Sequence, residues 1–193
     1  MDVGVRKGIE GAGPAFRFCP SCASRNIACE AGRIWTCPDC GFLYYHNVAS
    51  AAGVIVELEG GILFLKRAGE PRKGFLALPG GFVDPGEGSV DCVMRECAEE
   101  IGWKPARLEF LASFPNLYEY RGIPYATSDD FFVARFEGDR RTAFTPDGGE
   151  VEEIVVHPSG RLPWDAIAFE STRKALELYL SSRGAGAGSR QGA

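Results

Sequence analysis

The chain contains no long hydrophobic run. Its most apolar stretch, Val48 to Leu58, is far too short to cross a bilayer. The opening residues, MDVGVRKGIEGAGPAF, lack the continuous apolar core of a secretory signal. A membrane partner is therefore not expected, and the protein reads as cytoplasmic. Basic residues are in deficit too: 21 Lys and Arg stand against 26 Asp and Glu, a net charge of −5. That balance disfavours a dedicated duplex nucleic-acid binder, which usually shows a basic face, although a local patch can hide beneath it. There are two histidines, His46 and His157, isolated from one another, and neither is assigned a catalytic role. No internal repeat is present.

What is present is an ordinary globular composition, 45% hydrophobic and 24% charged over 193 residues, enough for one medium domain with a small appendage. Residues 1–15 and 183–193 are glycine-rich and poor in apolar pattern, and both read as flexible tails. Residues 16–46 hold paired cysteines among few aliphatics, too little to build a core alone. From residue 47 to 182 the pattern changes. AAGVIVEL and ILFLKRA read as strands joined by a Glu59-Gly60-Gly61 hairpin turn, and ARLEFLASF, DDFFVARFEG and VEEIVVH supply further strands. Ser89–Ile101 and Trp164–Ser182 read as helices, the latter with Ile167, Ala168, Leu176, Tyr179 and Leu180 as its apolar positions. Strands clustered around few helices predict an α+β domain or an α/β sandwich.

The Ser89–Ile101 helix carries the strongest signal. Ser89 suits an N-cap, Gly102 a left-handed C-cap, and the turn Asp84-Pro85-Gly86 cannot continue a strand. At about 100° per residue, Val90, Val93, Met94, Cys97 and Ile101 form an apolar stripe. Glu96, Glu99 and Glu100 fall together on another face, where like charges repel unless a cation is expected. A solvated acidic face is the ordinary explanation of such a run. Against it stand Gly80 and Gly81, whose bare backbone permits close approach of a ligand, and Arg95, with Glu87 placed to tie turn to helix. Carboxylate oxygens suit the hard divalent cations that phosphate chemistry uses.

Gly81, five residues, Glu87, seven residues, then Arg95-Glu96-Cys97-Ala98-Glu99-Glu100-Ile101-Gly102-Trp103 resembles the complete Nudix box. The resemblance implies a Nudix fold, a mixed sheet sandwiched between helices. It implies Mg²⁺ or Mn²⁺ held by Glu96, Glu99 and Glu100, with the Gly80 carbonyl as an extra ligand. Glu87 and Arg95 would pair to hold the loop. Glu99 and Glu96 are candidates for the general base, and Glu150, Glu152 and Glu153 lie where the family often supplies another acid. A surface acidic loop explains those last three equally well.

Cys19-Pro-Ser-Cys22 and Cys37-Pro-Asp-Cys40 form two CxxC pairs separated by fourteen residues. In a chain without an export signal, seven cysteines suggest metal or free thiols rather than disulfides. Two matched pairs make a closed, structural tetrahedral Zn²⁺ site; a redox dithiol is the alternative reading. Gly41 suits the second knuckle's turn, whereas Ala23 departs from that preference. The segment resembles a zinc ribbon, and a ribbon ahead of a Nudix domain resembles the arrangement of the NADH pyrophosphatases. Those enzymes carry SQPWPFPxS after the box. Here the stretch is SFPNLYEYRGIPYATSDDFF, which keeps Ser113-Phe114-Pro115 but not the tryptophan or the second Phe-Pro.

The expected substrate is accordingly a nucleoside diphosphate linked to another group, such as ADP-ribose or a nucleotide sugar. Arg67, Arg72 and Lys73 are candidates to hold phosphates, and Tyr118, with Tyr120 and Tyr125, to stack a base. The alternatives are an NADH or NAD-capped RNA pyrophosphatase, and a non-catalytic regulator that senses a nucleotide. A second copy of the chain, as a homodimer, is left open as a partner.

Overall fold

In the computed structural model, residues 16–120, 123–138, 144–146 and 148–187 are described. They sort into two units: the described residues up to Val48 together with Leu117–Ala126, and Ala49–Asn116 with Thr127 onward. The expected tail 1–15 lies outside the described residues.

The smaller unit contains a three-stranded antiparallel sheet of β1 (Ala28–Glu30), β2 (Ile34–Cys37) and β3 (Phe42–Tyr45). Its interior is slight. Only Cys19, Trp35 and Cys37 are buried among residues 16–48, with Phe16 packed edge-on to Trp35.

The larger unit is built on a seven-stranded sheet. Along its main path the order is β10 (Val151–His157), β5 (Gly61–Arg67), β4 (Ala49–Leu58), β9 (Ile123–Arg135) and β8 (Glu109–Tyr120). The short strands β6 (Leu76–Ala77) and β7 (Gly80–Phe82) pair with β5 and β4. β4 runs parallel to β9 and antiparallel to β5 and β7, so the sheet is mixed. β4 and β5 read as near-continuous buried runs because both sheet faces are covered. On one face Val54, Val56, Leu63, Leu65 and Phe132 pack against Val93, Cys97 and Ile101 of α1 (Ser89–Ile101). On the other, Ile55, Ile62, Phe64 and Phe131 pack against Ala175, Leu176 and Tyr179 of α2 (Glu170–Ala187). This is the sandwich of the Nudix fold. Among the described residues no helix is long and apolar enough to cross a membrane.

Four local expectations are corrected. Gly88, not Ser89, is the N-cap of α1; its N–H donates to Asp91 Oδ2, while the Ser89 hydroxyl donates to Asp130 Oδ2 at 2.6 Å. Val90 is 50% exposed rather than part of the buried stripe. The helix packs against β7 as well as β4, which moves its buried arc toward Cys92 and Glu100. The terminal helix begins at Glu170: Trp164–Ala166 form a 3-10 turn, and Ile167 lies extended, bridging to Leu76. It ends at Ala187, so residues 183–187 of the expected tail are helical.

Candidate active site and cysteine cluster

The glycine turn is shaped by what it must approach. Gly80 and Gly81 pair with Gly53 and Ala52 on β4. A Cβ on Gly80, at φ +142°, would lie 2.1 Å from the Ala52 carbonyl oxygen. A Cβ on Gly81 would lie 2.2 Å from Glu96 Oε1. Glycine at 81 therefore lets the Glu96 carboxylate rest on the backbone itself.

Arg95 is the hub of the site. Its Nε and Nη2 donate to the two Glu87 oxygens at 2.8 and 3.2 Å, a bidentate fork, and Nη2 also reaches the Phe82 carbonyl at 3.1 Å. Nη1 donates to Glu96 Oε1 at 2.9 Å and to Glu99 Oε2 at 3.0 Å. The Glu87 hydrogen bond, more than any other contact, raises the Arg95 pKa, and Arg95 in turn holds the Glu87 carboxyl below its ordinary value. One side chain thus ties the turn, the strand β7 and two box glutamates together.

The three glutamates differ in depth. Glu99 is open, with its side chain 58% exposed, Glu96 is at 13%, and Glu100 is buried. Glu100 Oε2 accepts the Gly80 N–H at 2.9 Å. Burial pushes the Glu100 pKa up to about 8, the Gly80 hydrogen bond opposing, with the charges of Glu96 and Glu150 adding to the rise. Burial also raises Glu96, against the pull of Arg95. The carboxylates are not gathered around one point, since Arg95 Nη1 lies between Glu96 and Glu99. Their chemistry nevertheless fits a hard divalent cation: oxygen donors on one helix face, two of which, Glu96 and Glu100, have ionised forms that burial disfavours and added positive charge would restore.

Of the acids outside the box, Glu150 is the one whose charge bears on Glu96 and Glu100. Glu152 pairs instead with Lys66 at 2.7 Å, and Glu153 acts on the same lysine. Arg67 sits over the Phe169 ring at 5.2 Å, donates from Nε to the Pro71 carbonyl, and its charge reaches Glu100. Arg72 lies over Phe75 at 5.6 Å and Lys73 is exposed, so neither is drawn to the glutamates by any described contact. Tyr118 belongs to the smaller unit. Cys97 is core packing, its thiol pushed up by burial. Sequence reasoning missed Asp130, which accepts hydrogen bonds from both Ser89 and Ser113 and so joins α1 to two strands. The signal was an acidic pair, Asp129-Asp130, inside a strand pattern that otherwise turns apolar.

In the smaller unit the four expected cysteines converge. Cys19 and Cys40 sulfurs are 3.6 Å apart, those of Cys22 and Cys37 3.7 Å, and all four lie within 4.8 Å of one another. A tetrahedron with Zn–S bonds of about 2.3 Å has S···S edges of about 3.8 Å, so the cluster fits zinc. The two knuckles share one turn: Ala23 N–H donates to the Cys19 carbonyl and Gly41 N–H to that of Cys37, each at 2.9 Å. Ala23 adopts φ +59° where Gly41 has +76°, so the alanine accepts a conformation that ordinarily favours glycine. Asp39 braces the first knuckle by accepting hydrogen bonds from Ser24 and Asn26.

Residues 47–178 match the NUDIX domain family. Over 167 residues the chain is 28% identical to the NAD-capped RNA hydrolase NudC of Pseudomonas aeruginosa, covering 86% of this chain and 56% of that protein. It is 46% identical over 63 residues to the ADP-ribose pyrophosphatase of Methanocaldococcus jannaschii, 33% of this chain and 37% of that protein. The crystal structure of a NUDIX hydrolase from Nitrosomonas europaea superposes with a TM-score of 0.63 at 28% identity, covering 89% of this chain and 94% of that one. The chain spans about half the length of the NudC relatives it matches. With the family match extending over more than half of its residues and the box geometry in place, the chain belongs to the Nudix family.

Proposed function

We propose that the protein hydrolyses a nucleoside diphosphate linked to a second group, such as ADP-ribose or a nucleotide sugar, by attack of water on a phosphorus of the diphosphate. The observation that carries this reading is the complete set of box residues meeting at one turn: Gly81 against Glu96, Arg95 forked onto Glu87, and Glu100 seated on the Gly80 amide. Glu96, Glu99 and Glu100, with the Gly80 carbonyl, would hold Mg²⁺ or Mn²⁺. When bound, such an ion neutralises the diphosphate, polarises phosphorus and acidifies water. Arg95 and Glu87 keep the turn in register with α1. Glu99, the glutamate open to solvent, or the more buried Glu96 takes the proton of the attacking water, and the charge of Glu150 bears on Glu96. Arg67, whose charge reaches Glu100, would meet a phosphate. Four thiolates of Cys19, Cys22, Cys37 and Cys40 would hold one structural Zn²⁺.

A second reading has its own support. Similarity to an NAD-capped RNA hydrolase runs over 86% of this chain, which favours NADH or NAD-capped RNA as substrate. Against it, the stretch after the box is rewritten around Tyr118, Tyr120 and Tyr125. A purely sensing role would not need the intact glutamates. Specificity constants for ADP-ribose, a nucleotide sugar, NADH and NAD-capped RNA, measured with Mg²⁺, decide between them. ADP-ribose or the nucleotide sugar should lead. If NADH or capped RNA leads by tenfold, about 1.4 kcal/mol in transition-state binding, the second reading replaces the first.

A further inference from the structure

Asp130 lies outside the box, yet it shares a register with it. On β9 it pairs with Ala52 of β4, and Ala52 pairs in turn with Gly81 of β7. The three residues form one row across the sheet, on the face that α1 covers. Asp130 accepts from Ser89, Ala52 belongs to the core beneath α1, and a Cβ on Gly81 would meet Glu96. α1 therefore meets the row twice, at Asp130 through its first residue and at Gly81 through its eighth. The lengths agree. Seven residues advance about 10.5 Å along a helix, and two strand spacings cover roughly 9.6 Å.

The Asp130 end of this span is firmly made. Its Oδ2 accepts the Ser89 hydroxyl at 2.6 Å, and its Oδ1 accepts that of Ser113 on β8. Both oxygens are engaged, so the carboxylate is fixed between a neighbouring strand and the start of the helix. Its charge also faces the N-terminus of α1, where the helix dipole favours an anion. The Gly81 end is held differently. Arg95 Nη1 donates to Glu96 and Glu99, and those bonds compete with a divalent cation for the same carboxylate oxygens. The Cys92 thiol, a weak donor, reaches the Phe82 carbonyl at 3.4 Å. Arg95 keeps its hold on Glu87 and Phe82, but through a long, flexible side chain. The Ser89–Asp130 bond lies two strands from the contested oxygens and is left intact.

We propose, on the reading of Glu96, Glu99 and Glu100 as metal ligands, that Asp130 is a positioning residue. By anchoring Ser89 it fixes where α1 stands along the row, and so where the three glutamates present their oxygens to a divalent cation. Asp130 itself touches neither ion nor substrate. A merely structural Asp130 would lower thermal stability and leave the cation affinity of the folded protein unchanged. A positioning Asp130 changes that affinity, as partners that orient metal ligands do by roughly ten- to a hundredfold.

Titration of the full chain with Mn²⁺, the free ion followed by electron paramagnetic resonance without substrate, tests it. Wild type should bind, and Glu96→Gln should bind far more weakly. Asp130→Ala and Ser89→Ala, folded as judged by thermal melts, should each bind Mn²⁺ roughly tenfold more weakly than wild type. Ser89→Ala added to Asp130→Ala should weaken binding no further, since the same bond is lost in either case. Asp130→Asn should restore most of the affinity, because its amide oxygen can accept from Ser89 and its NH₂ can donate to Ser113. Should Asp130→Ala fail to fold, Ser89→Ala decides, its side chain being only half-buried at the helix start. Wild-type affinity in folded Asp130→Ala or Ser89→Ala, further loss in the double variant, or Asp130→Asn as weak as Asp130→Ala overturns the anchor alone. No Mn²⁺ binding by wild type, or full binding by Glu96→Gln, overturns the metal reading and the anchor with it.

Discussion

Gly80 and Gly81 are neighbours in sequence, yet alanine should act on them in opposite ways. At Gly80 a Cβ meets backbone: the Ala52 carbonyl oxygen at 2.1 Å and the Gly53 Cα at 2.6 Å. Neither atom can move without breaking the β4–β7 pairing, and φ +142° is itself nearly closed to an L side chain. Backbone strain of about 1–3 kcal/mol and overpacking of about 1–3 kcal/mol together give roughly 4 kcal/mol. For a protein of this size that corresponds to a melting temperature lower by roughly 8–16 °C. At Gly81 the Cβ meets the end of a flexible side chain, Glu96 Oε1 at 2.2 Å. Glu96 can swing aside at small cost, but it then leaves Arg95 and the turn. Gly81→Ala should therefore melt within a few degrees of wild type and lose turnover by about a hundredfold, the scale of losing one positioned catalytic group. Differential scanning calorimetry paired with an ADP-ribose hydrolysis assay separates the two. A Gly80→Ala protein melting within 2 °C of wild type would contradict the backbone clash at Gly80, and a Gly81→Ala protein with full turnover would contradict the seat of Glu96 on Gly81.

Arg95→Ala should lower both stability and rate, because it removes the fork to Glu87 and the link to Phe82; Arg95→Lys, one point charge in place of a fork, should restore stability only in part in a thermal melt. The Glu100 pKa near 8 has a sign that can be read in solution. Below the unfolded carboxyl value both states are protonated; as pH rises toward 8 only the unfolded state has lost the proton, so metal-free stability falls through that window. Mg²⁺ should accordingly raise the melting temperature more at pH 8 than at pH 5.5, and an equal effect at both would count against Glu100 as a ligand. Metal analysis should find about one zinc per chain, as four thiolates make a single closed site; a Cys19–Cys22 disulfide without zinc would contradict it. Ala23→Gly should stabilise the zinc-loaded form by about 1 kcal/mol, by relieving a left-handed alanine, measured as tighter zinc retention against a competing chelator.

The box helix and the main strands were legible because their patterns are local. Gly102 has the left-handed φ of +68° that a C-cap requires, and VEEIVVH forms β10 as written. The cysteine pairs were legible for the same reason, their spacing alone dictating two knuckles. What escaped depends on partners distant in sequence. β7 is three residues long and exists only because β4 offers it an edge, yet it determines that Glu100 is buried and Val90 is not. Ser89 lost the capping role because Asp130, 41 residues away, claims its hydroxyl. Ile167 and Ala168 have a helical spacing but are held extended beside Leu76, whose carbonyl accepts the Ala168 N–H.

We propose that the box glutamates carry metal-dependent hydrolysis of a diphosphate. It is tested most directly by following ADP-ribose cleavage in ¹⁸O-labelled water with Mg²⁺, for wild type and for Glu99→Gln. Wild type should cleave ADP-ribose with label on a phosphate of one product, excess chelator should abolish cleavage, and folded Glu99→Gln should turn over more slowly by orders of magnitude. Full cleavage in chelator, label on a sugar carbon rather than on phosphate, or unchanged turnover in Glu99→Gln would contradict it.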